Sequence, residues 1–160
     1  MPSHYSRAQI ALHWGIFLLI VVQFLSHEAI ADSWDVIEEG GTPAFSALTA
    51  SHVFLGLLVL ALVVWRIALR LTRGAPALPA EEPAPLKLAA HLTHLALYAL
   101  ILAMPVTGAL AWFGSIGDLA EVHEALFTAL FILVGLHVVG ALYQQFVLKT
   151  NILERMKRAG

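Results

Sequence analysis

EVHEALFTALFILVGLHVVG, residues 121–140, decides how the rest of the chain is read. His123 and His137 stand fourteen positions apart, separated only by Glu124, Thr128 and residues that lipid or a protein core accepts. At about 100° per residue, fourteen steps close nearly four helical turns. Both imidazoles then lie on almost one face, about 21 Å apart along the axis. A bilayer's hydrocarbon layer is about 30 Å thick, so a membrane-crossing helix of this sequence would carry one imidazole toward each side.

The composition supports a membrane setting. The chain has 160 residues, 59% hydrophobic and 12% charged, with a mean hydropathy of +0.81; a soluble domain is nearer 25% charged. This length suits a single domain over residues 1–160. Cysteine is absent, which removes disulfides, thiolate-held iron–sulfur clusters and CxxCH haem attachment. Four apolar segments, about 8–31, 51–71, 86–113 and 122–148, are each long enough to span as a helix. The first is expected to be retained. Its apolar run IALHWGIFLLIVVQFL is too long for a typical signal-peptide core, and no small-x-small cleavage site clearly follows.

Charge sorting fixes the expected orientation. All 9 basic residues fall on one side of a four-span arrangement: Arg7, Arg66, Arg70, Arg73, Lys87, Lys149, Arg155, Lys157 and Arg158. The other side receives Glu28, Asp32, Asp35, Glu38, Glu39, Asp118, Glu121 and Glu124, without Lys or Arg. The positive-inside rule then predicts a multi-pass, all-α integral membrane four-helix up-down bundle with both termini in the cytoplasm. A soluble bundle would leave the sorting unexplained. Trp14 and Trp65 fall near the inner boundary, Trp34 and Trp112 near the outer one. Residues 32–50 read as an acidic outer loop, and residues 72–87 as an extended, solvent-facing Pro/Ala-rich inner linker. The short link near 114–119 makes the last two helices antiparallel neighbours, and Pro105 is expected to kink the third.

Ionisable residues within spans are costly and usually functional. Of the 8 histidines, His4 precedes the first span. The others sort by depth into an inner layer of His13, His91, His94 and His137 and an outer layer of His27, His52 and His123. Two imidazole layers suggest two metal centres. A bare zinc site usually wants four ligands, and no such set lies together at mid-depth. A b-type haem needs one or two axial imidazoles and a flat apolar slot. Gly56, Gly108, Gly135 and Gly140 are placed to let a planar ring approach a helix backbone. The fourth span gives one ligand to each layer. For the outer partner, His52 competes with His27; for the inner partner, His13 competes with His91 and His94. Spacing does not decide between them.

YSRAQIALHW at 5–14, SHVFLG at 51–56, WRIALRL at 65–71, AHLTHLALY at 90–98 and the VHE…GLH arrangement at 122–137 together resemble the bacterial cytochrome b561 family, over nearly the whole chain and in the order of all four spans. The resemblance implies a bundle with two non-covalent, bis-histidine haem b groups that exchanges electrons with quinone, ubiquinone above all. Carried over by motif, it implies His13 with His137 as axial ligands of the inner haem and His52 with His123 of the outer one. His27 is outside the family motif, and the outer loop is shorter than in some relatives.

The remaining residues have two readings each. Arg66 returns to the stripe of His52 at the inner end, and Arg70 follows one turn later. Either they pair with haem propionates, or they snorkel to headgroups as positive-inside anchors. His91 and His94 either hydrogen-bond a quinone carbonyl or a propionate, or are interfacial imidazoles held by a neighbouring helix. Ser6 and Arg7 are candidates to complete an inner quinone pocket. With two axial imidazoles per iron no open position remains for oxygen, so electron transfer is the expected role and no further catalytic residue is assigned. Three functions compete: a transmembrane conduit to the quinone pool with a periplasmic donor or acceptor; a superoxide oxidase passing electrons to ubiquinone, a reaction that similar proteins carry out; and a haem-free, His-lined metal or proton transporter. Lipid is an expected neighbour; nucleic acid is not.

Overall fold

A computed structural model describes residues 4–79 and 82–159, and among them the chain is all helix, with no strand. The helices are α1 (Arg7–Leu25), α2 (His27–Glu38), α3 (Ala47–Arg73), α4 (Ala84–Gly114) and α5 (Gly117–Phe146), followed by a 3-10 turn at Glu154–Met156. Four of them, α1, α3, α4 and α5, are long and apolar enough to cross a membrane. The shortest, α1, has 19 residues, about 28 Å at 1.5 Å per residue, which matches the hydrocarbon layer.

Local chemistry starts and stops these helices. Ser6 caps α1 in a capping box: its hydroxyl accepts from the Gln9 amide, and the Gln9 side chain accepts from the Ser6 amide. Ser46 caps α3 by accepting from the Thr49 amide. Pro83 precedes α4, and Ser115, in the left-handed region at φ 53°, ends it. Only Ser115 and Ile116 separate α4 from α5, so the two run antiparallel side by side, as expected. Pro105 lies buried inside α4, where it withholds one amide from the ladder, yet the helix continues on both sides.

Two expectations at the ends of the spans need correction. The first span was expected to run to residue 31 and to be followed by loop. Instead it stops at Leu25, and α2 occupies much of the acidic segment. Ser26 is the cause: its hydroxyl donates to the Gln23 carbonyl, offering the backbone an alternative to the helix ladder. Beyond it HEAIADSWDVIE is amphipathic rather than apolar. Thr49 donates to the Ala29 carbonyl at 2.8 Å and its hydroxyl lies 2.8 Å from that of Ser33, which pins α2 to the start of α3. The Pro/Ala-rich linker, in turn, is not simply solvent-facing. Gln9 donates to the Gly74 carbonyl, Arg155 to the Ala77 carbonyl, and buried Glu82 accepts from Gln144.

Packing runs α1 on α3, α3 on α4 and α4 on α5, whereas α1 and α5 scarcely meet through their backbones. The bundle is thus a ring with one widened seam. The core, Ile16, Val59, Val63, Ile101 and Leu130, sits at mid-depth. Many large apolar side chains point outward, among them Leu18, Phe54 and Phe131, as lipid-facing helices require. The start of α1 and the tail after α5 lie at the same end of the bundle, where Lys157 to Ala159 meet Arg7.

Candidate functional site

At the end carrying the termini, the basic end, three imidazoles gather. The rings of His13 and His137 meet across the α1–α5 seam with centroids 6.3 Å apart and planes at 76°. His94 of α4 stands 5.1 Å from His137. Two imidazoles on opposite sides of one metal ion, each about 2 Å from it, place their centroids about 6 Å apart. The separation of His13 and His137 matches that requirement. His91 is in no ring contact with this group; its Nδ1 donates to the Lys87 carbonyl at 2.7 Å, and His94 Nδ1 donates likewise to Ala90 at 2.6 Å.

Arg66 lies beside them. Its Nη1 donates to the Gln9 carbonyl at 2.6 Å, and its guanidinium carbon is 5.9 Å from the Tyr98 ring centroid. A guanidinium has five N–H donors, so most remain for an anion, and among the described residues no carboxylate pairs with Arg66 or Arg70. Arg70 is exposed in the last turn of α3. Ser6 is engaged in the α1 cap, and Arg7 is exposed.

At the opposite, acidic end a cavity of about 690 Å³ opens between the helices, within the range of about 300–1,000 Å³ typical of cofactor sites. His27, His52 and His123 all line it, with Phe17, Ile20 and Leu130 among its apolar walls; Ile30, Ala31 and Trp34 of α2 roof it. Hydrogen bonding sets His52 and His123 apart. His123 Nδ1 lies 2.8 Å from the Met104 carbonyl, which can only accept, so Nδ1 carries the proton. The Thr107 hydroxyl stands 3.3 Å from the same nitrogen. His52 Nδ1 lies 3.2 Å from the Ser26 hydroxyl, whose own proton goes to Gln23, so His52 also donates from Nδ1. In the neutral ring Nε2 is then a bare lone pair, the form in which histidine binds a metal. His27 instead packs its ring 5.0 Å from Phe127.

The residues therefore fit b-type haem on three counts: the ring separation of His13 and His137, the anchored tautomers of His52 and His123, and an apolar slot of cofactor size. Among the described residues no group of three or more His, Asp or Glu side chains is placed to hold a bare metal ion. The glycines divide. A Cβ on Gly108 would lie 2.8 Å from His123 Cε1, so the ring rests directly on the α4 backbone. A Cβ on Gly56 would meet Gln23, and at Gly135 and Gly140 nothing lies within 4 Å. The sequence reading missed Ser26, Thr107, Gln9 and Tyr98; the only outward signal was that polar Gln23, Ser26 and Thr107 interrupt apolar runs.

A helical membrane bundle with imidazoles paired across its seam defines a membrane haem protein of electron transport. The chain belongs to the prokaryotic cytochrome b561 family, whose profile matches residues 4–159. It is 36% identical to cytochrome b562 of Cereibacter sphaeroides over 96% of this chain and 95% of that one. It is 29% identical to the probable superoxide oxidase CybB of Yersinia pestis, over 98% of this chain and 97% of the relative. With cytochrome b561 homolog 1 of Escherichia coli K12 it shares 23% over 96% and 97%. Membrane electron transfer, b-type haem binding and a multi-pass bacterial membrane location follow from this membership.

Proposed function

We propose that this single-domain protein carries electrons across the bacterial inner membrane between two haem b sites and exchanges them with the quinone pool, with both termini in the cytoplasm. The observation that carries the reading is the placement of two histidines on α5, His137 with its ring centroid 6.3 Å from that of His13 and His123 lining one cavity with His52. His13 and His137 would hold one haem across the seam, and His52 and His123 the other beneath α2. Haem, when bound, supplies reversible one-electron oxidation and reduction. The chain's part is to hold the imidazoles, exclude water and neutralise charge. Arg66 would take a propionate at the basic end, since it is half-buried among imidazoles and, among the described residues, has no carboxylate partner; Arg70, one turn on, would be the outer neighbour of that anion. His91 and His94 spend Nδ1–H on backbone carbonyls, so in neutral form each offers Nε2 as an acceptor. That suits a quinol hydroxyl better than a quinone carbonyl. A redox-titrated visible spectrum of the purified protein, with and without ubiquinone, tests the reading. Two low-spin b-type transitions are expected, with reoxidation on adding quinone. A single transition, or no response to quinone, would refute it.

A second reading, superoxide oxidase, has the name of the Yersinia pestis relative in its favour. Superoxide is an anion, and an enzyme that steers it focuses it with positive charge. The acidic end carries eight carboxylates, from Glu28 to Glu124, and no Lys or Arg. Such a face suits a cationic or neutral periplasmic donor, which places the quinone-linked conduit first. Added salt should leave the superoxide rate unchanged or raise it, because screening weakens repulsion. A fast rate that falls steeply with salt would put the oxidase first.

A further inference from the structure

Away from the histidine layers, an open cavity of about 460 Å³ lies at the basic end, lined by Arg7, Ile10, Ala11, Lys157, Arg158 and Ala159. One wall is a stripe of α1. Arg7, Ile10, Ala11 and Trp14 are spaced i, i+3, i+4, i+7, whereas His13 is about 110° away round the axis. The other wall is the tail after α5. It turns back through Lys149 and Asn151, both at positive φ, and is pinned twice: Trp14 Nε1 donates to the Met156 carbonyl at 2.8 Å, and Arg155 Nη1 to the Ala77 carbonyl at 2.7 Å. These bonds carry Lys157 and Arg158 over the first turn of α1.

Three cations therefore surround an apolar floor. Among the described residues the carboxylate paired with them is Glu154, 3.6 Å from Lys157 and 3.8 Å from Arg158, with half its side chain exposed. Such exposed pairs are weak and exchange readily, and among the described residues the three cations outnumber the one carboxylate. From the cavity the α1 stripe continues toward the opposite side through Trp14, Leu18, Val21 and Leu25, which are 42%, 61%, 39% and 75% exposed. A cationic mouth at the headgroup level, opening onto an exposed apolar rail as long as a leaflet, matches an amphiphile with an anionic head.

We propose that this cavity binds an anionic phospholipid, with its phosphate among Arg7, Lys157 and Arg158 and an acyl chain along Trp14, Leu18 and Val21. The assignment gives Arg7 to lipid rather than to quinone, and it stands whether or not the quinone reading holds. A soluble phosphate would use the cations but not the rail.

The test is native mass spectrometry of the full-length haem-loaded protein in detergent, titrated with phosphatidylglycerol or phosphatidylcholine, with the haem spectrum reporting that each variant is folded. The wild type should retain one phosphatidylglycerol and discriminate against phosphatidylcholine. Removing one cation near a membrane surface weakens anionic-lipid binding about fivefold, so Arg7→Gln/Lys157→Gln/Arg158→Gln should lose about a hundredfold. Arg73→Gln/Lys87→Gln/Lys149→Gln, which removes as much charge from the same end outside the cavity, should stay within about twofold, the charge effect at a surface being short-ranged. Trp14→Phe keeps every cation and an aromatic ring against His13, whose centroid is 5.2 Å from that of Trp14, but cuts the bond to Met156, and should weaken retention several-fold. Equal losses in both triple variants would overturn the site in favour of diffuse attraction. Unchanged retention in Trp14→Phe would overturn the role of the pinned tail. Displacement of the lipid by inorganic phosphate would reduce the site to an anion pocket without a lipid.

Discussion

Replacing His137 with alanine is expected to abolish the basic-end haem while most of the acidic-end haem survives, a loss of roughly half the haem absorbance per protein. His123→Ala should do the reverse. The two substitutions separate because the imidazoles stand on opposite sides of the mid-depth core, of which Ile16 and Val63 do not line the acidic-end cavity. His94 makes the first experiment sharper. Its ring is 5.1 Å from His137, so the His137→Ala chain retains a second imidazole near the vacated position, and residual absorbance that disappears in His94→Ala/His137→Ala would identify it as a substitute ligand. Exogenous imidazole should restore the bis-imidazole spectrum where only a ligand is missing, and fail where the bundle has come apart. Two haems with unchanged spectra in either single variant would show that the ligand pairing is wrong.

Gly108→Ala should be nearly as damaging to the acidic-end haem as removing a ligand, although it adds one methyl group to a residue that binds nothing. The added Cβ would stand 2.8 Å from His123 Cε1 and 3.0 Å from Nδ1, closer than such atoms approach. The ring cannot swing aside cheaply, because its Nδ1 is tied to the Met104 carbonyl on the same face of α4. Either that bond breaks and Nε2 loses its aim, or α4 and α5 move apart; both outcomes degrade a site that tolerates little displacement. The basic-end haem should be spared. Gly15→Ala is the matched control: its Cβ meets nothing within 4 Å, and the residue lies about 160° round α1 from His13. Haem content and spectrum measured on both variants decide the matter; a normal acidic-end spectrum in Gly108→Ala would mean that His123 is not held against α4.

The spans, their ends to within a few residues and the two histidine layers were legible because hydropathy, charge sorting and 3.6-residue periodicity all act along the chain. The break at Ser26 was not, since Ala29, Ile30 and Ala31 continue the apolar character that precedes it and only a side-chain-to-backbone bond redirects the helix. The candidate ligands could be named but not paired by spacing, because helix order around the ring is a matter of packing. The anchors of His52 and His123 were out of reach for a simpler reason. One is a backbone carbonyl, identical in every residue type, and the other is a serine whose role depends on where its proton goes. Arg66 was readable as a basic-end cation, yet its bond to the Gln9 carbonyl needed the fold.

Carrying an imidazole of each layer on the last helix has a consequence for biosynthesis. The ribosome delivers α1, α3 and α4 before α5, so under the proposed ligation no slot owns both of its histidines until the final span has been made and inserted. Haem loading is then a step that follows translation, not one that accompanies it. In the interval the first three spans must wait in the membrane with Leu130 missing from their core and the seam fully open. That intermediate exposes His13, His52 and the Arg66 guanidinium together, which makes it the stage at which a quality-control protease or an insertion factor would meet a recognisably unfinished molecule.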